Sequence, residues 1–267
     1  MPDLEPKKQS DTIKLEHVAF KVAGATILKP LSVSFPCRGI TGLIGQNGSG
    51  KSTLLRILAR QQEPTTGKVW FEGKTLQDWG EREFARKVAY LPQYTPLASG
   101  LTVRELVALG RYPWHGPFGR FGRTDNEKVD EALALTSTAS LSDRFVDTLS
   151  GGERQRVWLA MLLAQNARLL LLDEPISALD VAHQVAVLDL VHRLATKNGI
   201  GVIIVIHDIN LAARYCDQIV ALKDGRMIAE GSAREFMTVE RLAEVYDVTM
   251  GVLPVPGTAA TIAYVRT

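Results

Sequence analysis

The sequence predicts an α/β fold in which a core of buried parallel strands follows an antiparallel β region and is interrupted by an inserted α-helical subdomain. Three observations predict it. Continuous apolar runs at Leu169 to Leu172, Val202 to Ile206 and Ile219 to Leu222 are separated by helix-like sequence, the pattern of parallel strands covered on both faces. The strand-like run Ile40 to Ile44 ends in a glycine-rich turn, after which helical spacing resumes through Leu54, Leu55 and Leu58. From about Tyr94 to Ala164 there are helical patterns, Val103 to Leu109 and Asp125 to Leu135, and no convincing strand.

Taken in order, β-rich runs at Ile13 to Phe20, Leu31 to Phe35, Val69 to Phe71 and Val88 to Leu91 build the N-terminal region around one helix. The predicted core therefore comprises residues 1–93 and 165–267, and the insertion residues 94–164. The tail beyond Asp247 is rich in Gly, Pro, Val and Ala, alternates weakly, and receives no chemistry.

A length of 267 residues suffices for one large α/β domain with an insertion. The 31 Lys and Arg nearly cancel the 29 Asp and Glu, and the net charge of +2 supplies no field to hold a polyanion, which argues against nucleic acid. Cys37 and Cys216 lie far apart in apolar surroundings, without zinc or redox spacing, and suggest a reducing compartment. The polar stretch from Met1 to Asp11 lacks the basic and apolar regions of a signal peptide, so none is expected. Apolar runs such as Val157 to Ala164 fall short of the roughly 18 residues that span a bilayer, so a membrane role would come through a partner. No internal repeat is visible, and any symmetry would come from self-association.

The strongest motif is Gly45-Gln46-Asn47-Gly48-Ser49-Gly50-Lys51-Ser52-Thr53, which fits G-x-x-x-x-G-K-[ST] between a strand and a helix. Glycines let backbone N–H groups converge on phosphate oxygens, and the helix start adds a favourable dipole. In this pattern Lys51 reaches the β- and γ-phosphates of ATP and Ser52 binds Mg²⁺. A second constellation follows the four-leucine run: Asp173 and Glu174 stand at the C-terminal edge of a parallel strand, where open α/β sheets bind ligands. Asp173 suits Mg²⁺ held through water, and Glu174 suits polarising the water that attacks the γ-phosphate. The bland alternative for this pair is helix capping. His207 follows another apolar strand; by itself it is a weak signal for a γ-phosphate donor, and a lone histidine is more often structural.

Leu149-Ser150-Gly151-Gly152-Glu153-Arg154-Gln155-Arg156 matches the ABC signature motif, and with it the chain resembles an ABC-transporter ATPase from about residue 13 to 247. The resemblance implies a P-loop NTPase (RecA-like) core. It makes Tyr90-Leu91-Pro92-Gln93 similar to the Q-loop, with Gln93 near the catalytic Mg²⁺, Ser177-Ala178-Leu179-Asp180 similar to the D-loop, and His207 similar to the switch histidine. Ser150, Gly151 and Gly152 open a helix and so form a second anion-binding terminus. In the family two protomers pack head to tail, and the signature residues with Asp180 cover the ATP of the partner, so a homodimer is implied. Two positions depart from the family pattern. Val22 stands where an aromatic side chain usually stacks on adenine, with Phe20 on the same face by alternation, and Ile176 replaces a common Thr.

The segment from Leu101 to Pro113 resembles importers of iron-siderophores, haem and cobalamin, and Trp114-His115-Gly116 is most similar to the ferric hydroxamate (ferrichrome-type) branch. The implied partners are an integral-membrane permease and, indirectly, a periplasmic or surface siderophore-binding protein, with the ATPase at the cytoplasmic face of the inner membrane. Tyr112, Trp114, Phe118 and Phe121 interleaved with Arg111, Arg120 and Arg123 suit a protein interface, or single-stranded nucleic acid. The bland reading is a surface loop. The rival class is a soluble ABC ATPase of DNA repair or translation. The stretch between Gln93 and Leu149 holds no heptads for the inserted coiled coils of the repair type, and the length excludes the fused pair of the translation type. Glu174 argues against a binding-only subunit with a dead site.

Overall fold

The computed structural model describes residues 11–96, 98–115, 119–177, 179–258 and 260–266. The N-terminal stretch 1–10 and positions Gly116, Phe118 and Ala178, on which parts of the sequence reading fall, lie outside the described residues. The first elements are β1 (Thr12–Val22), β2 (Ala25–Pro36), β3 (Ile40–Ile44), α1 (Lys51–Leu58), β4 (Thr66–Phe71), β5 (Lys74–Thr75), α2 (Glu81–Ala85) and β6 (Val88–Leu91). The helical stretch holds α3 (Val103–Leu109), α4 (Tyr112–His115), α5 (Arg123–Leu135) and α6 (Gly151–Ala164). After it come β7 (Leu169–Leu172), α7 (Val181–Asn198), β8 (Gly201–Val205), α8 (Ile209–Tyr215), β9 (Gln218–Lys223), β10 (Arg226–Ser232), α9 (Ala233–Phe236), α10 (Val239–Tyr246), β11 (Met250–Pro254) and β12 (Thr261–Val265).

The chain divides into two compact units, one formed by the described parts of Met1–Trp79 and His207–Thr267, the other by Gly80–Ile206. In the first, β1 pairs antiparallel with β2 and β4, and β5 with β4. Ile13 and Leu15 point into the core, and so do Val18 and Phe20, a change of parity that strict alternation forbids. A bulge supplies the extra residue: the register slips between Leu15 and Val18, His17 sits at φ 49°, and its amide donates to Ser32 Oγ at 2.9 Å. A further slip separates Phe20 from Lys21. Phe20 is 9% exposed and Val22 52%, so alternation does not carry Phe20 onto the face of Val22.

Also in this unit, β3 is buried at all five positions and runs parallel to β9, which pairs antiparallel with β10. The tail forms an antiparallel β11–β12 hairpin, and Asn210 fastens it by accepting from the Ala263 amide at 2.7 Å and donating to its carbonyl at 3.1 Å. Cys37 and Cys216 are both buried, and burial, with Asp217 beside it, pushes the Cys216 thiol up to about 12.

In the second unit β6, β7 and β8 are parallel, with Val88 opposite Leu169 and Leu169 opposite Gly201. All four leucines of β7 are buried, as a strand covered on both faces requires. Between β6 and β7 the described residues hold no strand, only an isolated bridge between Thr102 and Phe145. No helix among the described residues is long and apolar enough to cross a membrane.

The Arg111 segment departs from the expected surface loop. Arg111 is 4% exposed; its Nε donates to Asp125 Oδ1 at 2.9 Å, its guanidinium donates to the Ala164 carbonyl at 2.8 Å, and it lies 4.9 Å from the Trp114 ring. Trp114 Nε1 in turn donates to the Gln165 carbonyl at 2.8 Å. These bonds tie α4 to the start of α5 and the end of α6, so Arg111 is a packing residue rather than an interface cation. Tyr112 and Phe121 do remain exposed.

Candidate functional site

The phosphate loop is organised from within. Gly45 has φ 140° and Gly50 φ 98°, values that disfavour any side chain. A Cβ on Gly45 would strike the Leu222 carbonyl oxygen, and one on Gly50 would lie 2.5 Å from Leu28 Cδ2. Gly50 is the N-cap of α1 and supplies no side-chain cap of its own. Lys51, 4% exposed, curls over the loop: its Nζ donates to the carbonyls of Gly45 at 2.9 Å and Gln46 at 2.8 Å, and contacts Ser49 Oγ at 3.4 Å. A buried ammonium set among amides is a ready counter-charge for phosphate. Gln46, Asn47 and Gly48 are exposed at the loop crest, Ser49 and Gly50 are buried beneath it, and Ser52 and Thr53 continue into α1. His207, in the same unit, directly precedes Asp208, the N-cap of α8, and its carbonyl accepts from Tyr246 Oη at 3.4 Å.

In the second unit the acidic pair stands where β7 ends. Asp173 is fully buried; its amide donates to the Leu91 carbonyl at 2.9 Å, and its carboxylate accepts from Tyr90 Oη at 3.4 Å. Glu174 adopts φ 50°, a left-handed conformation that costs a residue with a Cβ about 1–3 kcal/mol and is common at functional turns. Gln93 Nε2 donates to Glu174 Oε2 at 2.7 Å, so two residues picked from separate motifs meet directly. Ile176 is buried, which makes it a packing side chain.

Ser150 caps α6 in a reciprocal box with Glu153: the Glu153 amide donates to Ser150 Oγ at 3.3 Å, and Glu153 Oε2 accepts from the Ser150 amide at 2.9 Å and hydroxyl at 2.8 Å. The Ser150 amide and hydroxyl hold the Glu153 carboxyl below the usual carboxylate range. Gly151 is open, whereas Gly152 is buried under the ring of His183, and a Cβ there would lie 2.8 Å from His183 Cγ. His183 also binds Asp180, the N-cap of α7, through its amide at 2.9 Å and through Nδ1 at 2.8 Å. The two segments expected to face a partner's nucleotide are thus joined through one imidazole.

The sequence model of the ABC transporter family matches residues 28–177, more than half of the chain. The chain belongs to the ABC transporter family. This ABC protein is 41% identical over 244 residues to the ferric enterobactin transport ATP-binding protein FepC of Escherichia coli strain K12, covering 91% of this chain and 90% of FepC. It is likewise 41% identical over 248 residues to the iron(3+)-hydroxamate import ATP-binding protein FhuC of Bacillus subtilis strain 168, covering 93% and 92% of the two chains. Among solved structures, the ATP-binding cassette MJ0796, a dimeric post-hydrolysis state bound to ADP and Pi, is similar at a TM-score of 0.72 and 29% identity, covering 83% of this chain and 99% of that one. As a member of the family the chain is an ATP-binding ABC ATPase.

Sequence reasoning about this ABC ATPase missed Tyr90 as a partner of Asp173, His183 as the link between Asp180 and Gly152, and Asp247 as a partner of Gln46. Asp180 and His183 stand three residues apart, the spacing of an N-cap and its first turn, and that signal was available. Gln46 and Asp247 lie 201 residues apart, and nothing local announces their contact.

Proposed function

We propose that this chain powers uptake of an iron(III)-siderophore, ferric hydroxamate in the branch its sequence favours, as one of two copies that bind ATP head to tail beneath an integral-membrane permease. The observation that supports the siderophore class is equal, near full-length identity to importer ATPases named for enterobactin and for hydroxamate. Within the proposal, the loop amides and Lys51 hold the β- and γ-phosphates. Glu174, oriented by Gln93, accepts the proton of the water that attacks the γ-phosphorus, and His207 donates a hydrogen bond to the γ-phosphate. Ser150, Gly151, Gly152 and Asp180 cover the ATP of the second copy. Loss of the γ-phosphate removes contacts made only in the closed pair, and the pair reopens.

The donor types, a hydroxyl, an amide and a carboxylate, suit Mg²⁺. Among the described residues no group of three or more His, Cys, Asp or Glu side chains could hold a metal alone. Mg²⁺ needs no such group, because it takes one or two carboxylates and completes its shell with phosphate and water. Ser52, Gln93 and Asp173 would hold it, and when bound it neutralises charge on the phosphates. The ATPase would sit peripherally at the cytoplasmic face of the inner membrane, and the siderophore-binding protein would meet the permease instead.

The test is uptake of ligand labelled with radio-iron (siderophores, haem) or radio-cobalt (cobalamin) in cells lacking the gene and complemented with the native protein or with Glu174→Gln. Ferric hydroxamate uptake should return with the native protein alone. Restoration of catecholate uptake only, or of haem or cobalamin uptake only, would reject the hydroxamate branch, and uptake indifferent to the gene for all four would sink the importer reading.

A further inference from the structure

The end of α10 reaches back to the phosphate loop. Asp247 stops that helix in the left-handed region at φ 57°, a conformation that Asp and Asn tolerate better than most residues. Its Oδ2 accepts from Gln46 Nε2 at 3.0 Å, and its Oδ1 accepts from Lys223 Nζ of β9 at 2.5 Å. Lys223 Nζ also donates to the Glu244 carbonyl at 2.9 Å. The Lys223 ammonium first, and the Gln46 amide after it, hold the Asp247 carboxyl below the usual range. Gln46 is the second residue of the loop, and its own carbonyl accepts from Lys51 Nζ at 2.8 Å. The preceding residue of α10, Tyr246, donates to the His207 carbonyl. Two adjacent residues at one helix end therefore touch both segments of this unit that carry candidate nucleotide contacts.

We propose that Asp247 is a positioning residue for ATP binding: it holds Gln46, and through the Gln46 carbonyl the Lys51 ammonium, in the geometry that receives phosphate. The inference rests on the reading of the loop as the ATP site. A helix stop needs only a residue that accepts the left-handed conformation, and an anchor for α10 needs only Lys223. Neither role calls for a bond to the loop. That bond lowers the freedom of Gln46 before nucleotide arrives, and a preorganised loop binds more tightly than one that must be ordered.

The experiment measures the Kd for a fluorescent ATP analogue, together with Tm, for the native protein, Gln46→Ala, Asp247→Ala, the double variant and Asp247→Asn. Each alanine variant should weaken binding by about three- to tenfold, the range of one lost hydrogen bond. The double variant should be no weaker than either single one. Asp247→Asn keeps both the backbone conformation and an acceptor oxygen, and should lie within about twofold of native. Gln46 is exposed on the loop, so its variant reports on the contact even if Asp247→Ala fails to fold. Multiplying effects in the double variant, failure of Asn to rescue, or a fall in Tm with unchanged Kd would overturn the proposal and leave Asp247 a helix stop. Absence of ATP binding in the native protein would instead overturn the reading of the site itself.

Discussion

Gln93 Nε2 lies 2.7 Å from Glu174 Oε2, so the amide beyond β6 orients the carboxylate beyond β7. The contact joins a side chain proposed to hold Mg²⁺ to the one proposed to activate water. If Glu174 is the base, Glu174→Gln should keep ATP affinity while kcat falls by about 10²–10⁴, because an amide cannot take the proton. Gln93→Ala should reduce kcat less, since the carboxylate survives but loses its orientation. Phosphate release measured beside nucleotide binding decides the matter, and near-native turnover by Glu174→Gln would remove it from that role.

Lys51 presents the opposite signature. Its buried ammonium bonds the loop's own carbonyls, and in the proposed function it is the counter-charge that phosphate meets. Lys51→Ala should weaken ATP binding by at least about tenfold, the low end for a charge-assisted hydrogen bond. An unchanged Kd in calorimetry would mean that the loop amides suffice alone.

The His183 ring covers Gly152 so closely that no Cβ fits without a shift. Gly152→Ala should therefore destabilise the protein, by about 1–3 kcal/mol for an overpacked site. Adding His183→Ala should return part of that loss, because the clash disappears with the ring. Denaturant titration of both single variants and the double one gives the coupling, and strictly additive losses would show that the ring moves aside freely.

Arg111 and Asp125 form an ion pair with side chains 5% and 13% exposed. Arg111→Ala should cost about 3–5 kcal/mol of stability, since it leaves a carboxylate buried without its cation. Burial works against ionisation of Asp125, but the Gly122 amide and then the Arg111 guanidinium outweigh it, and the carboxyl titrates below its ordinary value of 3.8. A lowered value in the folded state means that this stability is present above pH 3.8 and is lost as pH falls through the lower folded value. Native protein should lose stability over that acid range more steeply than Asp125→Asn. Parallel pH dependences in thermal melts would refute the linkage.

What the sequence determined by itself is the part of the protein that depends on neighbours along the chain. The runs Ile40–Ile44, Val88–Leu91 and Leu169–Leu172 are strands with those same ends, because a short apolar run between turn signals leaves a buried strand few other places to begin or stop. The glycine-rich loop between β3 and α1 and the start of α6 at Gly151 were legible for a related reason: a turn that leads into a helix is built from consecutive residues, so each is written in one segment.

Only the tertiary structure decided the rest. Alternation placed Phe20 with Val22, yet Phe20 is buried and Val22 exposed, with a register slip against β2 between Phe20 and Lys21, since an irregularity in pairing changes what a side chain faces without changing composition. Arg111 looked like a surface cation, and the packing of α4 against α5 and α6 made it a buried one by bringing a carboxylate and a carbonyl to its guanidinium. His183 over Gly152, and Asp247 on Gln46, follow the same logic. Whether a polar side chain meets water or a distant partner depends on which elements fold beside it, and that distance in space is not encoded in any local spacing.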